Sequence, residues 1–137
     1  MVRIAHANYR IRDVEPTLAF WAALGLSCTG CLQISEGYYL IYLSAPGNDD
    51  VTIELTVQEN PPEGYDRSPG AGHIALAVGD LDAAVGRLRE QGIPVTVEPF
   101  HPVTGNDLRV AFTADPNGMK VELIEGDFPT PRDPMPA

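Results

Sequence analysis

The feature that most restricts how this chain can fold is a repeat in its punctuation. His6, Asp13 and Gly25 recur as His73, Asp80 and Gly92, each pair 67 positions apart, and Glu54 in Thr52-Ile53-Glu54-Leu55 recurs as Glu122 in Lys120-Val121-Glu122-Leu123 after 68. A constant offset across chemically unlike residues marks a duplicated structural unit, and one residue of slippage fits a loop of different length. The 137 residues thus divide into a first module at 1–59, a linker at 60–72 carrying Pro61, Pro62, Gly64, Pro69 and Gly70, a second module at 73–126, and a proline-rich tail at 127–137 expected to be extended or mobile. Roughly sixty residues cannot bury an adequate core alone, so the two modules are expected to pack as one domain.

Asp13 and Asp80 stand where an N-cap side chain accepts from the first free backbone N–H groups, and Gly25 and Gly92 stand where a left-handed residue closes a helix. Between them run apolar stripes at helical spacing, Val14, Leu18, Trp21 and Leu24 in one half and Leu81, Ala84, Val85 and Leu88 in the other. β-rich runs surround the helices at 4–11, 38–43 and 51–57, and again at 73–78, 94–97, 108–113 and 120–124. Asp115-Pro116-Asn117-Gly118 predicts a hairpin turn before the last of them. The reading is an α+β fold of two tandem βαβββ modules, with the repeated His on each first strand and the repeated Glu on each last strand.

A single strand histidine reads most simply as a satisfied polar residue, and so does a single strand glutamate. Duplication changes this, because approximate two-fold symmetry brings equivalent positions together. His6, Glu54, His73 and Glu122 are then expected to converge, with each carboxylate turned by strand alternation away from its apolar neighbours. Two adjacent carboxylates repel unless a cation lies between them. Two imidazoles and two carboxylates suit octahedral Ni²⁺, Co²⁺, Mn²⁺ or Fe²⁺, or a catalytic Zn²⁺, and leave about two of six positions for water or substrate oxygens.

Charge narrows the partners. Nineteen acidic against nine basic residues leave a net charge of -10, which repels phosphate backbones and anionic lipid, so neither nucleic acid nor a membrane surface is expected as a partner. No apolar run reaches bilayer-spanning length and residues 1–6 lack a signal-peptide core, so the chain is expected to be cytoplasmic. Cys28-Thr29-Gly30-Cys31 follows the helix-closing Gly25 and enters a strand, which is not the helix N-terminus that a redox cysteine pair uses, and no second such pair completes a zinc site. Tyr38, Tyr39 and Tyr42 read as strand packing.

Gly72-His73-Ile74-Ala75-Leu76, Ile53-Glu54-Leu55-Thr56 and the closing run from Ala111 to Glu125 resemble the vicinal oxygen chelate superfamily, in particular its short bacterial glyoxalase I (lactoylglutathione lyase) type. The likeness extends from His6 to about Glu125. It implies curved mixed sheets around a metal cleft, metal ligands His6, Glu54, His73 and Glu122, Ni²⁺ or Co²⁺ with Zn²⁺ as the competitor, and a homodimer with sites at the interface. The implied reaction isomerises the hemithioacetal of a 2-oxoaldehyde and a thiol through an ene-diolate. Glu122 would carry the proton, and Glu54 would remain a ligand or serve the opposite face. Arg10 and Gln58 fall where the family binds the glutamyl arm of glutathione, whereas Thr104 stands where a lysine is common, leaving the thiol open and Arg109 as a substitute charge. The alternatives are a dioxygenase or epimerase of the same superfamily, or a binding or resistance protein without turnover.

Overall fold

The computed structural model describes residues 2–114, 116 and 118–136. By internal contacts the chain divides into two compact units: His6–Gly72 joined by the tail from Pro129, and His73–Phe128 joined by the chain start through Ala5. Each unit carries one four-stranded mixed sheet and one helix, the two βαβββ modules that the repeat predicts.

In the first unit β1 (Arg3–Arg10), α1 (Val14–Ala23), β2 (Ser27–Ser35), β3 (Tyr38–Ala45) and β4 (Asn48–Gln58) follow in order. The sheet runs β2-β3-β4-β1, antiparallel except for the parallel pairing of β1 with β4. Alternation gives it two distinct faces. One is apolar: Cys31, Tyr39, Ile41, Leu43, Leu55 and Val57 form a buried cluster against which Val14, Leu18 and Trp21 of α1 pack. Trp21 also donates its indole N–H to the Tyr9 hydroxyl at 2.7 Å. Leu24, expected in the same stripe, lies past the end of α1 and is exposed.

The second unit repeats the plan with β5 (His73–Val78), α2 (Leu81–Glu90), β6 (Val95–Phe100), β7 (Val110–Ala114) and β8 (Lys120–Glu125), in sheet order β5-β8-β7-β6. Leu81, Ala84 and Val85 of α2 are buried against Val78, Ala111 and Leu123. The strands β7 and β8 pair antiparallel from Val110↔Ile124 to Ala114↔Lys120, and the turn expected at 115–118 falls partly on Asp115 and Asn117, outside the described residues.

The capping expectations divide. Gly25 and Gly92 hold φ of +95° and +70°, the left-handed conformation that ends a helix. The Asp80 side chain accepts from the Ala83 N–H at 3.0 Å, whereas Asp13 makes no side-chain cap and offers its carbonyl to the Thr17 hydroxyl at 2.6 Å. The tail lies against the edge strand β2: Asp133 bridges Cys31, and a Cβ on Gly30 would sit 2.0 Å from the Pro131 carbonyl oxygen. Nothing larger than glycine lets the tail backbone approach there.

Candidate active site

The second face of the first sheet is polar, and His6 and Glu54 stand on it. Register aligns His6 with Thr52, and Asn8 with Glu54 and then Tyr42, across β1, β4 and β3. His6, Asn8, Thr52, Glu54 and Thr56 are all buried, as is Ser44 at the end of β3. The His6 Nε2 lies 3.2 Å from Glu54 Oε1. Asn8 Nδ2 donates to the same Oε1 at 2.9 Å and to the Thr56 hydroxyl at 2.7 Å, and the Tyr42 hydroxyl donates to Glu54 Oε2 at 2.6 Å. Both carboxylate oxygens are therefore engaged, and the imidazole packs edge-on to Tyr42 at 6.2 Å between centroids. The hydroxyls of Ser44 and Thr52 are buried with no hydrogen-bond partner among the described residues.

In the second unit His73 Nε2 lies 3.7 Å from Glu122 Oε1. Here register places Ala75 and Phe112 beside Glu122, where the first unit has Asn8 and Tyr42 beside Glu54. Phe112 meets the His73 ring edge-on at 5.8 Å. In each unit the histidine of the first strand thus stands beside the glutamate of the last.

Asn8 and Tyr42 are the residues that inspection of single positions misses. Tyr42, expected to be strand packing, is fully buried and hydrogen-bonded to the candidate ligand. A signal for both exists in strand alternation: Asn8 follows His6 by two, and Tyr42 is separated by one residue from each of the polar-facing positions Leu40 and Ser44.

The substrate-binding candidates lie further along. Arg10 donates to the Asp66 carbonyl at 2.9 Å and stacks its guanidinium over Tyr65 at 4.9 Å, so the 60–72 segment orients it. Gln58 ends β4 opposite Tyr38. Arg109 is engaged elsewhere: it bonds Asp82 at 2.8 Å and Glu125 at 3.2 Å, which holds the Asp82 carboxyl below the ordinary aspartate range and raises the guanidinium above its own. Its charge ties α2 to β8 and is not free to serve a substrate. Burial, with Cys28 and Asp133 nearby, pushes the Cys31 thiol up to about 11, the reverse of what a redox nucleophile needs.

Residues 3–123 match the model of the Glyoxalase/Bleomycin resistance protein/Dioxygenase superfamily. The chain belongs to this superfamily. It is 36% identical over 130 residues to the lactoylglutathione lyase of Salmonella typhimurium, an alignment covering 90% of this chain and 93% of that one. To the lactoylglutathione lyase of Escherichia coli O157:H7 it is 33% identical over 130 residues, with the same coverage. With such relatives this superfamily member is a glyoxalase I-like enzyme. In fold it is also similar to the crystal structure of methylmalonyl-CoA epimerase from Mycobacterium tuberculosis, with a TM-score of 0.68 over 89% of this chain and 86% of that one at 22% identity. No helix among the described residues is long and apolar enough to cross a membrane.

Proposed function

We propose that this enzyme is a divalent-metal-dependent glyoxalase I that converts the hemithioacetal of a 2-oxoaldehyde and a small thiol into the S-2-hydroxyacyl thiol. The observation that carries the reading is the doubled pair: an imidazole beside a carboxylate in the first half, His6 with Glu54, and the same two groups at the matching strand positions of the second, His73 with Glu122. Kinship with enzymes named lactoylglutathione lyase supports the reaction class.

The donor set fits a divalent cation. Imidazole nitrogens and carboxylate oxygens are the ligands that Ni²⁺, Co²⁺ and catalytic Zn²⁺ share, and a carboxylate as buried as Glu54, 4% exposed, benefits from positive charge as well as hydrogen bonds. His6, Glu54, His73 and Glu122 would hold the ion, Ni²⁺ or Co²⁺ before Zn²⁺. When bound, it supplies Lewis-acid charge to the substrate oxygens. Glu122 acts as the base: it takes the proton from the sulfur-bearing carbon and returns it to the neighbouring carbon, so one carbon is oxidised as the other is reduced and no external redox partner is needed. Arg10 and Gln58 receive the thiol's polar arm. The working form in this reading is a cytoplasmic homodimer.

Metal-free protein reloaded with Ni²⁺, Co²⁺ or Zn²⁺ and given preformed methylglyoxal hemithioacetals of glutathione and other small thiols tests the reading. Thioester formation with at least one thiol, lost on chelation and restored by metal, is expected. No product with any thiol under any of the three metals overturns it.

A further inference from the structure

Two hydroxyls on the polar face of the first sheet are left over once the bonds around Glu54 are assigned. Those of Thr56 and Tyr42 are engaged, the first by Asn8 and the second by Glu54. Ser44 and Thr52, each 3% exposed, have buried hydroxyl oxygens with no hydrogen-bond partner among the described residues. The strand register fixes their places. Tyr42 pairs with Glu54; Ser44 lies two residues beyond Tyr42 on β3, and Thr52 lies two residues before Glu54 on β4, where it also pairs with His6. Alternation puts them on one face, and two residues along a strand span about 7 Å, so both hydroxyls lie within a small substrate's length of His6 and Glu54. In the second unit the matching positions, Ala114 and Lys120, pair directly and carry no hydroxyl. Duplication therefore does not account for the two hydroxyls.

A buried hydroxyl without a partner is destabilising, and alanine or valine would fill either place without that penalty. A bound group that completes the hydrogen bonds removes it. An anion is disfavoured, because the Glu54 carboxylate stands next along the same face. A methyl group would leave both hydroxyls as dry as before. A neutral hydroxyl, which donates and accepts, suits the pair. We infer that Ser44 and Thr52 are specificity-determining residues that receive a hydroxyl on the aldehyde's carbon chain, so that the hemithioacetal of a hydroxylated 2-oxoaldehyde is preferred over that of methylglyoxal. The inference rests on the isomerase reading proposed above and names its substrate class. A site built to hydrogen-bond a substrate hydroxyl discriminates strongly against the analogue lacking it, whose binding strands the buried partners.

Hydroxypyruvaldehyde and methylglyoxal differ by that one hydroxyl. Their hemithioacetals with the same small thiol are compared by kcat/KM in the metal-loaded wild type, Ser44→Ala and Thr52→Val, with circular dichroism to confirm folding. Calorimetric binding of the unreactive S-(3-hydroxypropyl) and S-propyl thioethers of that thiol reads recognition apart from turnover. Wild type is expected to favour the hydroxylated substrate about tenfold or more, and each substitution to cut that ratio about 5- to 30-fold. The thioether pair is expected to follow in the same direction. Wild type with no preference, or one for methylglyoxal, overturns the inference without recourse to the variants. Folded variants that keep the wild-type ratio also overturn it, even where their melting temperature changes, since the hydroxyls then hold an ordered water only. If the variants do not fold, the wild-type ratio and the thioether pair decide. Product from both aldehydes without a hydroxyl preference removes this inference and leaves the isomerase reading standing, whereas no product from either with any of the three metals removes both.

Discussion

The two halves keep the same histidine and glutamate and differ in almost everything next to them. Around Glu54 the neighbouring face is built from Asn8, Tyr42, Thr52, Thr56 and Ser44, whereas the matching positions around Glu122 hold Ala75, Phe112, Lys120, Ile124 and Ala114. A duplicated module must keep the groups whose chemistry depends on both copies, but each copy's surroundings answer only to its own task. Divergence around a preserved pair therefore points to a division of labour.

The sharpest way to break this comparison is to neutralise each glutamate in turn. Glu122→Gln is expected to lower kcat on the order of 10²- to 10⁴-fold while metal remains bound, though more weakly; Glu54→Gln is expected to show its main loss in metal content of the purified protein. Elemental analysis beside steady-state kinetics separates the two, and equal losses in both columns would erase the distinction between the halves.

Next in size come the glycines. Gly72 precedes His73 as Ala5 precedes His6, yet a Cβ at Gly72 would meet the Asn8 carbonyl oxygen at 1.9 Å, backbone that cannot swing aside. Gly72→Ala is expected to cost about 1–3 kcal/mol in urea unfolding. Gly86→Ala, in α2 with open space around its Cβ, is expected to stabilise by up to about 1 kcal/mol through helix propensity. The helix starts differ by less. Asp80→Ala removes an observed cap and is expected to cost about 1 kcal/mol, while Asp13→Ala removes none and is expected to fall within about 0.5 kcal/mol of wild type.

The smallest effect is the pH dependence of the Asp82–Arg109 pair in the second half. Arg109 lowers the Asp82 pKa in the folded state, so the folded protein releases that proton more readily than the unfolded chain. The resulting stability is present above the ordinary aspartate value of 3.8 and disappears as pH falls through the lowered folded value. Asp82→Asn is expected to lower the melting temperature slightly at neutral pH and not at all in strong acid; the exposed pair also weakens with added salt. A difference that grows toward acid would contradict the assignment.

Much of this was legible from residue order. The spacing of His, Asp, Gly and Glu announces two copies of one unit, the left-handed glycines mark both helix ends, and alternation around Ile53-Glu54-Leu55 and Val121-Glu122-Leu123 turns each carboxylate from its apolar neighbours. Other features escaped because they depend on segments far apart in the chain. The docking of the tail on Gly30 shows only when Pro131 arrives at β2, and the neutralisation of Arg109 shows only when Asp82 and Glu125 meet it from separate elements. Strand β2 is legible only at its entry, because Ser27–Ser35 has few β-branched residues and takes its shape from pairing with β3.

By itself the amino-acid order determined the duplication, the repeated histidine and glutamate and the strand face on which each stands, since these follow from periodicity and residue chemistry. Only the folded chain decided that Glu54 is gripped by Asn8 and Tyr42 while Ala75 and Phe112 stand beside Glu122. Hydrogen bonds of 2.6 and 2.9 Å require a particular register between strands, and a slip of one residue would send those donors to the opposite face.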